Sequence, residues 1–268
     1  MILIVSCFSC GKDRLPVVDI FEPDEINPNS AIIRGFVFDP GKKELLSRGI
    51  CFGLNSIPSK DDNYVESNSP LANDEFSCEL INLLSDTVYY ARAYGTNKLG
   101  TSYSEYQISF KTEYTIGGRG PAQGVVFYLD GNGGGMEVSM TDVGSGIPWG
   151  CEGLDIPATS NTSVGTGESN TLAIVSNCIE TGIAAKVCVD YIYQGFDDWY
   201  LPSRDELSLI YENVYLMGKG NFSSSPPLYW SSSSVDSDNA HRQLFSTGEQ
   251  LPYFKSSSVP MVRAVRSF

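Results

Sequence analysis

Gly195-Phe196-Asp197-Asp198-Trp199-Tyr200-Leu201-Pro202-Ser203-Arg204-Asp205-Glu206-Leu207 is the stretch that most restricts how this chain can fold. Pro202 keeps Leu201 extended. Ser203 can cap a helix, and Glu206 three residues on can reach back, which makes a capping box. Leu207, Ile210, Tyr211 and Val214 then fall on one stripe, so a helix is predicted over 204–214. Trp199 sets a large apolar body beside that stripe, with an indole N–H that needs an acceptor if buried. Asp198 reads as a loop residue accepting backbone N–H groups next to the capped helix.

A length of 268 residues suggests about two domains. Glycine and tyrosine are plentiful and long helical patterns are few, which favours β-rich architecture. The formal charge of −14 speaks against a nucleic-acid or anionic-membrane surface, because both demand a basic face.

The chain opens on an apolar run, Met1 to Cys10, then turns polar at Gly11-Lys12-Asp13-Arg14. The run is too short to span a bilayer, which needs ~20 apolar residues. It resembles the tail of a bacterial lipoprotein signal. Ile4-Val5-Ser6-Cys7 has lipobox spacing, and Ser9-Cys10-Gly11-Lys12-Asp13 is similar to a modified cysteine with its polar tether. That resemblance implies a partial lipoprotein signal peptide over 1–10, lipidation at Cys10, and a lipid-anchored place at the outer membrane or cell surface. Residues 11–29, with Pro16, Pro23 and Pro28, read as a tether.

From Ser30 to Thr112 short alternating strands are separated by turn signals. Ala31 to Phe38 is closed by Asp39-Pro40-Gly41; Ile50 to Leu54 follows; Phe76, Cys78 and Leu80 alternate on a third strand. Leu83 to Tyr94, leading to Asn97-x-x-Gly100, resembles strand F of a fibronectin type III domain. Tyr89 takes the place of that fold's tyrosine corner. The resemblance implies an all-β sandwich over 30–113, with the function of a spacer.

Glu113 to Gly120, with Gly117, Gly118 and Gly120, is expected to be a hinge, set at 114–120. Beyond it, Gly124 to Asp130 and Met136 to Met140 read as two strands joined by a glycine-rich hairpin turn. Asn170 to Val175 reads as a short helix, and a clear helix with an apolar face is predicted around 182–193. Residues 121–268 also carry an ordered set of motifs: Gly124-Val125-Val126-Phe127-Tyr128, Trp149-Gly150-Cys151, Ala184-Ala185 ahead of Cys188, Asp198 to Ser203, Tyr229-Trp230-Ser231-Ser232, and Val262-Arg263-Ala264-Val265-Arg266. In this order they resemble the C-terminal domain family first named from a bacterial collagen-like adhesin. That family belongs to the C-type-lectin-like superfamily, as do the formylglycine-generating enzymes. The resemblance implies an α+β C-type-lectin-like, ligand-binding second domain.

Five cysteines remain beyond the N-terminal pair, and an exported chain can form disulfides. Cys151 follows a strand, Cys178 precedes a helix and both flank loops, whereas Cys188 lies on an apolar helix side. A Cys151–Cys178 bond is therefore expected, with Cys188 reduced. Such a loop closure stabilises by ~3–4 kcal/mol in the chain-entropy model.

Enzyme chemistry finds little support. His241 is the only histidine, and Ser231 to Ser234 beside it lack the glycines of a nucleophile elbow. No cysteine follows Cys188, so the chemistry of the formylglycine-generating enzymes cannot be carried over. Asp197 and Asp198 are adjacent, not placed across a cleft as glycosidase carboxylates are. Lectins of the resembled fold hold Ca²⁺ with acids and amides in loops such as the one bearing Asp236, Asp238 and Asn239. The E-P-N, Q-P-D and W-N-D runs of those lectins are missing, so no cofactor is expected and calcium stays the alternative.

The segment between Trp230 and the final strand mixes polar and aromatic residues with little periodicity; in the resembled fold it forms the ligand face. Asp236, Asp238, Asn239, His241, Arg242, Gln243, Tyr253, Phe254 and Lys255 are the expected direct contacts for a glycan or a surface protein. The functional expectation is a non-enzymatic adhesion or recognition protein. The alternatives are a structural subunit of a surface assembly, a variable receptor of a diversity-generating retroelement, and, last, an enzyme on surface polysaccharide.

Overall fold

A computed structural model describes residues 13–41, 43–70, 74–225 and 227–268. Cys7 and Cys10, with the signal and lipidation expectations, lie outside them. The chain divides into two compact units, Met1–Glu113 and Tyr114–Phe268.

The first unit is an all-β, fibronectin type III-like sandwich. One sheet pairs β1 (Val17–Ile20), β2 (Glu25–Ile26) and β6 (Glu75–Ile81) with β3 (Ser30–Asp39). The other pairs β4 (Leu45–Gly53) with β5 (Asn63–Glu66) and β7 (Val88–Asn97), and β7 with β8 (Gly100–Tyr103) and β9 (Ile108–Lys111). All pairs are antiparallel. The alternation that signalled the strands is the burial pattern itself: Ala31, Ile33 and Val37 face in from β3, and Phe76, Cys78 and Leu80 from β6. They meet Ile50, Ala91 and Phe110 of the opposite sheet in one core. The Tyr89 hydroxyl accepts the Leu84 N–H at 3.0 Å, which is the corner bond expected of that residue.

Within the expected tether over 11–29, the described residues 13–29 contain strands β1 and β2 instead. Val17-Val18-Asp19-Ile20 alternates out, in, partly out and in, so Val18 and Ile20 join the sandwich core. Gly95 makes room for this strand: a Cβ there would meet Val18 and Pro16 at 2.9 and 3.0 Å. Apolar burial outweighs the proline and acid content that suggested an extended linker.

The second unit begins earlier than expected. The 114–120 segment is bonded into it and is no hinge: Gly117 N–H reaches Val126 O at 2.7 Å, Val126 N–H reaches Gly118 O at 3.0 Å, and the Tyr114 and Phe268 rings lie 4.6 Å apart. One sheet holds β10 (Val125–Leu129), β11 (Gly135–Val138) and β15 (Val265–Ser267). The expected final strand at 262–266 narrows to β15, with only isolated bridges at Met261 and Val262. Three short helices follow β11: α1 (Gly167–Asn177), α2 (Ala184–Val189) and α3 (Arg204–Ile210). A π turn, Tyr211–Tyr215, takes up the rest of the predicted 204–214 helix. The second sheet holds β12 (Leu228–Ser234), β13 (Asn239–Leu244) and β14 (Glu249–Phe254).

The capping box on α3 forms in full. Ser203 Oγ accepts the Glu206 N–H at 3.2 Å, and Glu206 accepts the Ser203 N–H at 2.8 Å. Glu206 is fully buried and also takes the Gly165 and Gly167 N–H groups, at 2.7 and 3.3 Å. One carboxylate thus ties α3 to the loop that opens α1. Asp198 departs from expectation: its oxygens accept Arg266 Nε and Nη2 at 2.7 and 2.8 Å. Arg266 also donates to the buried Glu137 at 2.9 Å, so strand β15 is fixed by charge as well as by its ladder.

Candidate ligand-binding surface

Strand β12 is buried along its whole length and is the floor of the candidate surface. Trp230 Nε1 donates to Ile147 O and Trp149 Nε1 to Ser231 O, both at 2.9 Å. Ser231 to Ser234 read in sequence as part of a polar ligand face. They are interior instead, because each hydroxyl finds a partner. Ser231 donates to His241 O at 3.0 Å, Ser232 meets Asn170 at 3.3 Å, Ser233 donates to Asn161 O at 2.9 Å, and Ser234 meets Thr159 at 2.6 Å.

The nine expected contact residues divide by where β13 and β14 place them. Asp236 closes the turn between β12 and β13. Its carboxylate accepts the Asp238 and Asn239 N–H groups at 2.8 and 2.7 Å, and the Asn239 amide at 3.0 Å. Those bonds hold the Asp236 carboxyl below its usual range. Both Asp236 oxygens thus take part in shaping the turn. Asp238 is exposed beside it.

Arg242 and Tyr253 come together on one face of the hairpin. The guanidinium lies 4.4 Å from the Tyr253 ring centroid, and that ring lies 6.0 Å from Trp230. A cation thus rests on an aromatic pair whose deeper member is core. Phe254, opposite Asn239 in the ladder, projects into solvent. His241 falls on the other face of β13. It is half-buried, its Nδ1 has no hydrogen-bond partner among the described residues, and burial with the nearby Arg204 guanidinium lowers its pKa.

Two of the nine cannot touch a ligand as expected. Gln243 is fully buried and bridges within the hairpin: Nε2 donates to Gly248 O and Oε1 accepts from Gln250 Nε2, both at 3.1 Å. Lys255 is fully buried, donates to Leu154 O at 3.0 Å and lies 4.6 Å from the Trp149 ring centroid. Burial lowers its pKa, opposed by Asp155, Asp236 and Asp238. A polar residue one step past a strand end looked solvated in sequence, but the loop from Trp149 to Asp155 covers it. Asp155 and Leu154 are therefore neighbours of this surface that sequence reasoning missed. No local pattern pointed to them, because they arrive from about a hundred residues away.

No hydrogen bond joins the His241 imidazole to a hydroxyl among the described residues, and the nearby serines are committed to the fold. Cys151, Cys178 and Glu180 bring ligand-type atoms within 4.8 Å, but both sulfurs are spent on the Cys151–Cys178 disulfide, whose Cα atoms are 5.8 Å apart. Cys188 is buried and reduced.

No protein-family model matches the chain, and no curated protein does. Among solved structures, it is similar to the sensor domain of the anti-sigma factor RsgI4 in Pseudobacteroides cellulosolvens. The identity is 19%, over 38% of this chain and 97% of that one, with a TM-score of 0.28. It is also similar to the fourth fibronectin type III domain of a human protein, at 20% identity over 42% of this chain and 91% of that one, with a TM-score of 0.28. A third likeness is to the FN1–FN3 domains of chicken CNTN1, at 15% identity over 38% of this chain and 33% of that one, with a TM-score of 0.29.

Proposed function

We propose that this chain is a lipid-anchored cell-surface binding protein, with Cys10 as the lipidated residue and a C-type-lectin-like second unit that recognises a glycan or a protein on another surface. The observation that carries this reading is the β13–β14 hairpin. It offers Arg242 stacked on Tyr253, the exposed Phe254 ring and the acidic turn of Asp236 and Asp238 on a frame held from beneath by buried tryptophans. A rigid frame bearing exposed aromatic and charged groups is where recognition concentrates. Asp236, Asp238, Asn239, Arg242, Tyr253 and Phe254 are the contacts. Acidic groups around the turn, together with the chain's charge of −14, favour a neutral or basic ligand over a sulfated one.

The test is a glycan and surface-protein array probed with the full chain and with a variant combining Asp238→Ala, Arg242→Ala and Phe254→Ala. Binding that disappears in the variant, with its thermal unfolding unchanged, is the expected result. Equal binding by both places the site elsewhere. A structural subunit of a surface assembly is the second reading. It is favoured by the outer edge of β14, which has no strand partner among the described residues and carries exposed Leu251 and Phe254. Co-purification with envelope proteins and no free-ligand binding would select it.

A further inference from the structure

The first unit has a feature that a spacer does not need. Where β1 runs beside β8, an open cleft of about 340 Å³ is lined by Val17, Asp19, Phe38, Tyr103, Glu105 and Tyr106, among others. Three aromatic residues and two acids line it, and no basic residue does among the described residues. Phe38 is 63% exposed and Tyr106 71%, although aromatic rings of this size gain most from burial. Phe38 is also the residue skipped where the β1–β3 register shifts: Val17 pairs with Asp39 and Val18 with Val37. A bulge of this kind re-aims a side chain, and here it leaves the ring on the outer face beside Val17 and Asp19.

The far wall is held in place before any ligand arrives. Tyr103 Oη accepts the Lys60 N–H at 3.2 Å. Arg92 packs against the Tyr103 ring, 5.0 Å from its centroid, while donating to Ser104 O at 2.7 and 3.1 Å. The next residue along from Tyr106, Gln107, holds Ile57 N–H at 2.6 Å, and Ile57 sits at φ 61°, a conformation a β-branched residue adopts only under constraint. The Ser102 hydroxyl donates to Pro16 O at 2.5 Å and fixes β1 against β8.

We infer that this cleft is a binding site for a soluble organic cation of the alkylammonium class. Ring faces attract such a cation through their quadrupoles, and the Asp19 and Glu105 carboxylates supply the counter-charge. An anion would meet two like charges. A neutral apolar guest would strip water from both carboxylates with nothing in return. A bare Ca²⁺ would find only two acidic side chains and rings that cannot ligate it.

The experiment titrates the full chain with choline and, in parallel, with 3,3-dimethylbutan-1-ol, its uncharged isostere, followed by calorimetry and by NMR shifts of the tyrosine rings. Choline should bind and shift the Tyr103 and Tyr106 resonances, with the isostere weaker by roughly tenfold. Tyr106→Ala, Phe38→Ala and Glu105→Gln alter exposed groups that the core does not need, and each should weaken choline by a few-fold or more. Equal binding of the two compounds, no choline binding at millimolar concentration, or full affinity in Tyr106→Ala would overturn the assignment. A methyl glucoside that shifts the same rings while choline does not would overturn it too. So would phosphatidylcholine vesicles that pellet the chain while free choline stays silent. Because these residues lie in the first unit, none of the outcomes bears on the β13–β14 hairpin.

Discussion

A lysine ammonium carried into a protein interior must replace the water it leaves. Lys255 does so with Leu154 O at 3.0 Å, the Trp149 face, and the carboxylates of Asp155, Asp236 and Asp238. Its truncation should therefore damage the fold and not a ligand contact. Lys255→Ala is expected to cost about 2 kcal/mol or more in chemical denaturation, by orphaning Leu154 O and emptying the space over Trp149. His241 allows a sharper measurement because it is the only histidine. Its pKa is lowered by burial and by Arg204. The folded chain then resists a proton that the unfolded chain accepts. Stability should be unaffected by this residue above its ordinary pKa of about 6.5 and should fall as pH drops below it. An NMR titration of its ring proton should give a midpoint under that value, and His241→Asn should flatten the corresponding slope. At this scale the sequence was legible where a residue's partners are local. The Ser203–Glu206 box could be read within four residues, whereas Asp236, expected as a ligand contact, was not read as the residue that shapes its turn. Lys255, Gln243 and Asp198 could not be read, since chemically they suit solvent as well as the distant partners that claim them.

Elements followed the same rule. Alternation in 31–38 and 76–80 produced β3 and β6 because period-two patterning and burial are the same fact in a sandwich. Val17–Ile20 carries that alternation too, but prolines and acids on either side masked it. The 204–214 stripe put Leu207, Ile210 and Val214 in the core, yet Tyr211–Tyr215 closes as a π turn, which no spacing in the sequence announced. The anchor of this region is Glu206, whose carboxylate accepts from three donors, the N–H groups of Ser203, Gly165 and Gly167. Glu206→Ala should cost about 3 kcal/mol, near 1 kcal/mol for each of those three N–H groups left without an acceptor. Hydrogen exchange should quicken at Gly165 and Gly167 together with the first turn of α3. Faster exchange confined to α3 would mean that the link to the α1 loop contributes nothing.

At the scale of the whole molecule, the division falls at Glu113 and Tyr114, seven residues ahead of the expected 121 boundary. The three glycines of the 114–120 segment suggested a joint, but their backbone groups are taken up by β10 and by Lys219, whose Nζ donates to Gly117 O at 2.5 Å. A fragment of residues 114–268 should accordingly melt at a higher temperature than one of 121–268; equal melting would return the segment to linker status. The sandwich was readable because its strands alternate in and out along their own sequence, even though β1–β3, β3–β6, β4–β7 and β7–β9 pair across intervening strands. The second unit was readable only in outline, since β11 pairs with β15 across most of its length. The Cys151–Cys178 bond spans that same interval more modestly, 27 residues apart, and the loop it encloses is mostly exposed from Glu152 to Gly165. A protease that cuts inside this loop would leave a chain still joined through sulfur. On a gel run without thiol, the nicked protein should migrate as a single full-mass species, and only reduction should release two pieces.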